Sequence, residues 1–194
     1  MNLAPVTLEG RHVRLEPMEL GHLDALCEVG LDAELWRWTG GRITSHDEMR
    51  QYIGNAIARR EAGTALPFVT MERTNGRVVG STRYGNIDVP NRRVEIGWTW
   101  VARPWQRTAI NTEAKYLLLR HAFETLGCVR VELKTDVLNV VSRRAIERIG
   151  ATEEGVLRQH LIVHDGRLRD SVYFSILDRE WPAVKARLEE KLAR

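Results

Sequence analysis

Residues 7–17 alternate apolar and polar positions around Gly10 and predict a strand or a bent hairpin arm. Over 18–30 the period lengthens, with Leu20, Leu23, Leu26 and Cys27 at helical spacing. Trp36, Trp38, Gly40 and Gly41 read as loop. Ser45 and Glu48 form a Ser-x-x-Glu capping box that opens a helix running to about Ala62. Strands over 66–73 and 77–84 flank the hairpin dipeptide Asn75-Gly76, and 92–101 is a further strand. The helical period returns over 112–126, where Ala114, Leu117, Leu118, Ala122 and Leu126 share a stripe. A strand over 129–136 follows, then a helix over 139–149 closed by Gly150. Strands over 154–163 and 169–177 surround the turn dipeptide Asp165-Gly166, and Trp181-Pro182 opens a polar C-terminal helix.

This order implies an α+β fold: a mixed sheet, antiparallel at first and parallel in its middle, with helices on both faces. With 194 residues the chain is expected to form one domain, 1–194. A hydrophobic fraction of 43% and a charged fraction of 28% exclude collagen-like, coiled-coil and wholly disordered chains. No apolar run reaches the roughly 18 residues of a membrane helix, and the first residues lack the apolar core of a signal peptide. The expected compartment is the cytoplasm.

Cys27 and Cys128 stand far apart with no Cys-x-x-Cys, and no His-Glu-x-x-His occurs, so no metal site is expected. The run between His160 and His164 reads as strand, which sets them ~13 Å apart, too far to chelate one ion without a third, intervening ligand. The net charge of +3 and pI near 9.1 suit an anionic ligand such as a nucleotide. The basic residues are scattered, so a nucleic-acid partner is not expected, and an RNA-associated module rests on the pI alone.

The stretch 94–112 joins a strand to a helix through a tight turn. A helix N-terminus offers unpaired backbone N–H groups and the positive end of the helix dipole, a ready site for phosphate. By alternation Val94, Ile96, Trp98 and Trp100 are expected on one face of the strand, and Glu95, Gly97, Thr99 and Val101 on the other. Gly97 in mid-strand suggests a bulge or a close approach.

Strand, Gln106-Arg107-Thr108-Ala109-Ile110-Asn111, helix, strand, Asn139-x-x-Ser142, helix and Gly150 together resemble the GNAT acyl-CoA N-acyltransferases over essentially the whole chain. Glu154-Gly155-Val156-Leu157-Arg158, then Gly166, then residues 169–177 and Glu180-Trp181 resemble the Rim-type branch, which includes enzymes that acetylate ribosomal-protein N-termini. The resemblance implies a mainly antiparallel sheet whose middle is splayed to admit the pantetheine arm of acetyl-CoA. Main-chain groups of Trp100 and Val101 would pair with that arm. Gln106, Arg107, Thr108, Ala109, Ile110, Asn111 and Thr112 would form the pyrophosphate loop. Ala109 and Asn111 depart from the family's Gly and Gly/Ala, though the backbone N–H donors survive both changes. Arg103 or Arg107 would add positive charge.

The resemblance further implies that Asn139 hydrogen-bonds the pantetheine arm and that Ser142 lies near the thioester sulfur. The family's Tyr, seven positions after the Asn, is here Ile146, so Ser142 is the expected donor to the leaving thiolate. An amine must be neutral to attack, which calls for a base or a water relay. Glu95 is the first candidate and His160 the second, its ordinary pKa being near 6.5. Asp170 is read as structural, orienting Arg158 or a backbone amide. The expected activity is acetyl transfer to a primary amine, a protein N-terminal α-amine included, by direct attack in a ternary complex. A small amine acceptor (amino acid, polyamine or antibiotic) and a non-catalytic acyl-CoA sensor are the alternatives. Two-fold pairing into a homodimer is also expected.

Overall fold

A computed structural model describes residues 1–193. Eight strands form one sheet: β1 (Leu8–Glu9), β2 (Val13–Pro17), β3 (Leu66–Glu72), β4 (Val78–Asp88), β5 (Arg93–Val101), β6 (Arg130–Asp136), β7 (Thr152–Ile162) and β8 (Leu168–Leu177). Their spatial order is β1-β2-β3-β4-β5-β6-β8-β7. The helices are α1 (Leu23–Gly30), α2 (His46–Glu61), α3 (Ala109–Arg120), α4 (Val140–Arg148) and α5 (Trp181–Ala193). Only β5 and β6 pair in parallel; every other ladder is antiparallel. The α+β class, with a mixed and mainly antiparallel sheet, is therefore as the sequence implies.

Two apolar cores result. One contains Ile110, Leu117 and Leu118 of α3, Trp181 and Leu188 of α5, and Val94, Ile96, Val131 and Phe174 of the sheet. The other sets Leu26 of α1 and Met49 and Ile53 of α2 against Val69 and Trp100. Ser45 and Glu48 do form the capping box, each side chain satisfying a backbone N–H of the other's turn. The helix expected over 112–126 divides instead: α3 starts earlier, at Ala109, and ends at Arg120, and His121–Thr125 continues as a wider π turn. The Tyr84 hydroxyl donates to the Leu118 carbonyl there, giving a partner to a carbonyl near the helix end. His164 is not on a strand with His160; it lies beyond the end of β7, in the turn before β8.

The sheet splays at its centre. β5 and β6 share only three rungs, Arg93 with Arg130, Val94 with Val131 and Glu95 with Glu132. Beyond Glu95, β5 pairs with β4 alone and β6 with β8 alone. A β-bulge adds to the divergence. The β4–β5 register runs from Arg83 opposite Gly97 to Ser81 opposite Trp100, so β5 carries one residue more than β4. The extra residue lies at Trp98, whose φ is +50°.

This bulge overturns the simple alternation along β5. Val101 rejoins the core of Val94 and Ile96, while Trp100 enters the opposite core beside α1 and α2. The indole of Trp98 lies half-exposed over Gly85, where a Cβ would meet ring carbons at 2.3 and 2.7 Å. Gly97 signalled the irregularity, but the turn of the chain falls one residue later.

Candidate active site

The splay opens between the C-terminal half of β5 and the end of β6, with the starts of α3 and α4 following these two strands. On the α3 side, Thr108 caps the helix by accepting from the Ile110 N–H. No acidic residue stands in the first turn. Arg107 takes a left-handed φ of +63° just before the cap. A helix N-terminus without carboxylates, preceded by a cation, fits a pyrophosphate. Gln106 is held differently from the simplest expectation, since its amide donates to the Val101 carbonyl at 2.8 Å and ties the loop back to β5. Arg103 is engaged by Asp32 at 2.6 Å; Arg107 has no ion pair among the described residues. The Asn111 side-chain oxygen is buried without a partner.

The loop and helix are anchored from behind. Glu113 is buried and accepts backbone N–H groups from Arg11, His12 and Val13. Gly10 is required there, because a Cβ would fall 2.4 Å from the Glu113 carboxyl carbon. Glu113 is not among the residues to which the sequence points. The available signal was a lone acid on the apolar stripe of a helix facing a Gly-containing turn, and no local rule pairs those two.

On the α4 side, Asn139 caps the helix by accepting from the Ser142 N–H at 3.0 Å. Its side-chain oxygen is thereby engaged, which leaves the amide N–H₂ as the group able to donate to a ligand. Ser142 is half-buried. Ile146 is buried in the core, so no phenol replaces it.

Glu95 sits on the last parallel rung, at the vertex of the splay. It is 2% exposed. Its Oε2 accepts from Asn86 Nδ2 at 2.7 Å and from Lys134 Nζ at 2.9 Å. Its Oε1 faces the open side of Gly97, where a Cβ would come within 2.9 Å. His160 reaches the same face. Two extra β7 residues between the rungs Leu157–Ser171 and Leu161–Arg169 make room for it. There its Nδ1 lies 3.0 Å from Ser171 Oγ and its ring packs edge-on to Tyr173. Burial, and then the nearby Lys134 and Arg169 charges, push the His160 pKa down. Tyr173 and Glu95, with the end of β4 and the turn after it (86–90) and Leu157, line a groove of about 730 Å³ beside the vertex.

Asp170 accepts from the Gln159 N–H and so fixes the β7 irregularity. Asp136 is fully buried and pairs with Arg167 at 2.6 Å. Arg169 donates to the Trp38 carbonyl, and Arg167 lies over the Trp38 ring, so the α1–α2 loop reaches across to β8. Among the described residues no cluster of three or more His, Cys, Asp or Glu is placed to hold a metal. No helix among them is long and apolar enough to cross a membrane.

A splayed sheet, a helix N-terminus at the splay and a buried carboxylate at its vertex define an acyl-CoA-dependent transferase. The model of the acetyltransferase (GNAT) domain matches residues 12–152, and the chain belongs to that family of N-acetyltransferases. The family uses acyl-CoA. A protein of Bacillus subtilis named "Putative ribosomal N-acetyltransferase YdaF" is 40% identical over 111 residues, covering 57% of this chain and 60% of that protein, so the match spans under two thirds of the relative. The N-acetyltransferase p20 of Bacillus licheniformis is 28% identical over 90% of this chain and 98% of its own. Among solved structures, a GCN5-related N-acetyltransferase from Brucella melitensis superposes with a TM-score of 0.90 at 33% identity, covering 97% of this chain and 86% of that one. Mycobacterium smegmatis RimJ in complex with CoA-disulfide gives a TM-score of 0.84 at 26% identity, covering 97% and 96%.

Proposed function

We propose that residues 1–194 form one acetyltransferase domain that moves the acetyl group of acetyl-CoA to a primary amine, with both substrates bound together. The observation that carries this reading is the vertex of the splay, where a buried carboxylate, Glu95, sits on the last parallel rung at the point where β5 and β6 part. Main-chain N–H groups of Ala109, Ile110, Asn111 and Thr112, with Gln106, Arg107 and Thr108, hold the pyrophosphate. Trp100 and Val101 offer their main chain to the pantetheine arm, and Asn139 its amide. Acetyl-CoA supplies the thioester.

Glu95 Oε1 takes the proton from the incoming ammonium, directly or through one water, and leaves a nucleophilic amine. The amine nitrogen bonds to the acetyl carbon as the carbon–sulfur bond breaks. Ser142 donates a hydrogen bond, or its hydroxyl proton, to the departing thiolate and takes up in return the proton that the amide nitrogen sheds, so that the products are an amide, a free thiol and a neutral serine. A coenzyme A thiol is about as acidic as Cys, near 8.5, so a weak donor suffices. His160, whose pKa burial and the nearby Lys134 and Arg169 charges push down, is the alternative base. Direct transfer fits the cysteines: Cys128 precedes β6, buried, with its thiol pushed up to about 11, and Cys27 lies on α1.

For the acceptor, the likeness to the ribosomal N-acetyltransferase-named relative and to RimJ favours a protein N-terminal α-amine. A screen of amines and peptides with acetyl-CoA, following free thiol, tests the activity; no thiol release with any acceptor leaves the acyl-CoA sensor as the reading. The long edge strand β7 exposes Val156, Leu157, Leu161 and Ile162, an apolar edge that a second copy would cover. The homodimer so proposed is checked by sedimentation.

A further inference from the structure

Among the described residues Arg83 is the buried ion that has neither an ion pair nor a hydrogen bond. The other buried ions are answered. Glu95 has Lys134 and Asn86. Asp136 has Arg167. Glu113 has three backbone N–H groups. Arg169 has the Trp38 carbonyl for one of its terminal nitrogens, though its Nε is unpartnered. Lys115 can shed its proton. Arg83 is 4% exposed, cannot lose its charge and has no ion pair or hydrogen bond among the described residues. Its guanidinium lies between the rings of Tyr52 and Trp98, at 4.9 and 5.1 Å from their centroids. Its Nε is buried without an acceptor. Two cation–π contacts do not replace the hydrogen bonds that its donors give up on burial.

Its position shows what would answer it. Arg83 stands opposite Gly97 on the face of the sheet that carries Glu95, because Gly85 opposes Glu95 one rung further on. Gly97 and Gly85, the two positions between them, carry no side chains, and the Trp98 indole lies over Gly85 on this face. The diagonal spacing in such a ladder is roughly 7–8 Å. An acceptor whose nitrogen meets Glu95 therefore presents its next few atoms to the guanidinium.

We propose that Arg83 anchors a carboxylate of the acceptor, so that this enzyme acetylates amines carrying a carboxylate within a few bonds of the nitrogen. Two sources share that chemistry: the α-carboxylate of a free amino acid, and an Asp or Glu side chain at a peptide N-terminus. The inference rests on the acetyltransferase reading above and excludes polyamines as preferred acceptors.

The test uses matched acid and amide pairs. The peptides are Asp-Ala-Ala-amide against Asn-Ala-Ala-amide and Glu-Ala-Ala-amide against Gln-Ala-Ala-amide; the free pair is alanine against alaninamide. Each is titrated calorimetrically into CoA-loaded protein and also assayed with acetyl-CoA for thiol release. The acid member of at least one series is expected to bind at least tenfold tighter, and the series that shows it identifies the source. In Arg83→Gln the acid-to-amide ratio should fall to near one, and Arg83→Lys should restore part of it. The CoA-induced rise in melting temperature verifies that both variants are folded. No acid preference in the wild type, or a preference that survives Arg83→Gln, overturns the anchor. Acid-selective binding without thiol release keeps the anchor and defeats the acetyltransferase reading instead.

Discussion

The two sides of the splay are built from different materials. In the proposed reading the cofactor side is main chain: a loop, a helix N-terminus and strand groups that lie within one stretch of 100–112 and the cap of α4. The proposed acceptor side is side chain: Arg83 from β4, Glu95 from β5, Lys134 from β6, His160 from β7 and Tyr173 from β8, with Tyr52 from α2. Backbone donors tolerate substitution, so Ala109 and Asn111 can replace glycine while the N–H groups remain. An acceptor pocket made of side chains from six elements has no such tolerance, and each residue there carries chemistry of its own.

The harshest way to break the cofactor side is to place charge where the phosphates lie. Ala109→Glu is expected to abolish the rise in melting temperature on adding coenzyme A, because a carboxylate meets pyrophosphate at the helix N-terminus. A wild-type shift in that variant would move the loop elsewhere. The acceptor side is probed by its base. Glu95→Gln is expected to lower turnover about a hundred- to ten-thousandfold, while His160→Ala changes it less than about threefold. The reverse pattern would transfer the role to His160.

A smaller effect distinguishes the back of the sheet from its working face. Burial pushes the Lys115 ammonium down to about 7, with only the hydroxyls of Thr99 and Thr82 as partners. Above that pH the folded chain has released a proton that the unfolded chain, with an ordinary lysine near 10.4, still holds. Stability therefore rises with pH from about 7. Near pH 9 the buried Cys128 thiol, pushed up to about 11, begins to oppose the trend, because only the unfolded chain then loses that proton. Denaturant titrations should show roughly 1–3 kcal/mol gained between pH 7 and 9, and Lys115→Met should flatten the curve.

The same division explains what the sequence made legible. Local signals mark the elements: the Ser45 capping box, Asn75-Gly76, and Gly150, whose φ is +101°. The strand–loop–helix of the cofactor side is also local, so its residues are contiguous in the chain. The acceptor side depends on register. The Trp98 bulge exchanges the faces of Trp100 and Val101, and the two extra residues before Leu161 set His160 beside Ser171 and Tyr173. Neither irregularity leaves a period that a single strand can display. Arg83 lies in a strand where nothing in its neighbours marks it; only Tyr52 and Trp98, brought from elsewhere, reveal the burial of its charge.

The central claim is that the chain holds the cofactor by groups engaged before the chemistry and supplies the proton from Ser142 only as the carbon–sulfur bond breaks. It is tested most directly by measuring acetyl-CoA affinity and turnover together in Ser142→Ala and Asn139→Ala. Ser142→Ala should lose about ten- to a thousandfold in turnover with nearly unchanged affinity, as for an interaction made mainly in the transition state. Asn139→Ala should weaken acetyl-CoA binding, because its amide contact exists in the ground state. Full turnover in Ser142→Ala, alongside a silent Glu95→Gln, would contradict the claim and assign the thiolate's proton to solvent.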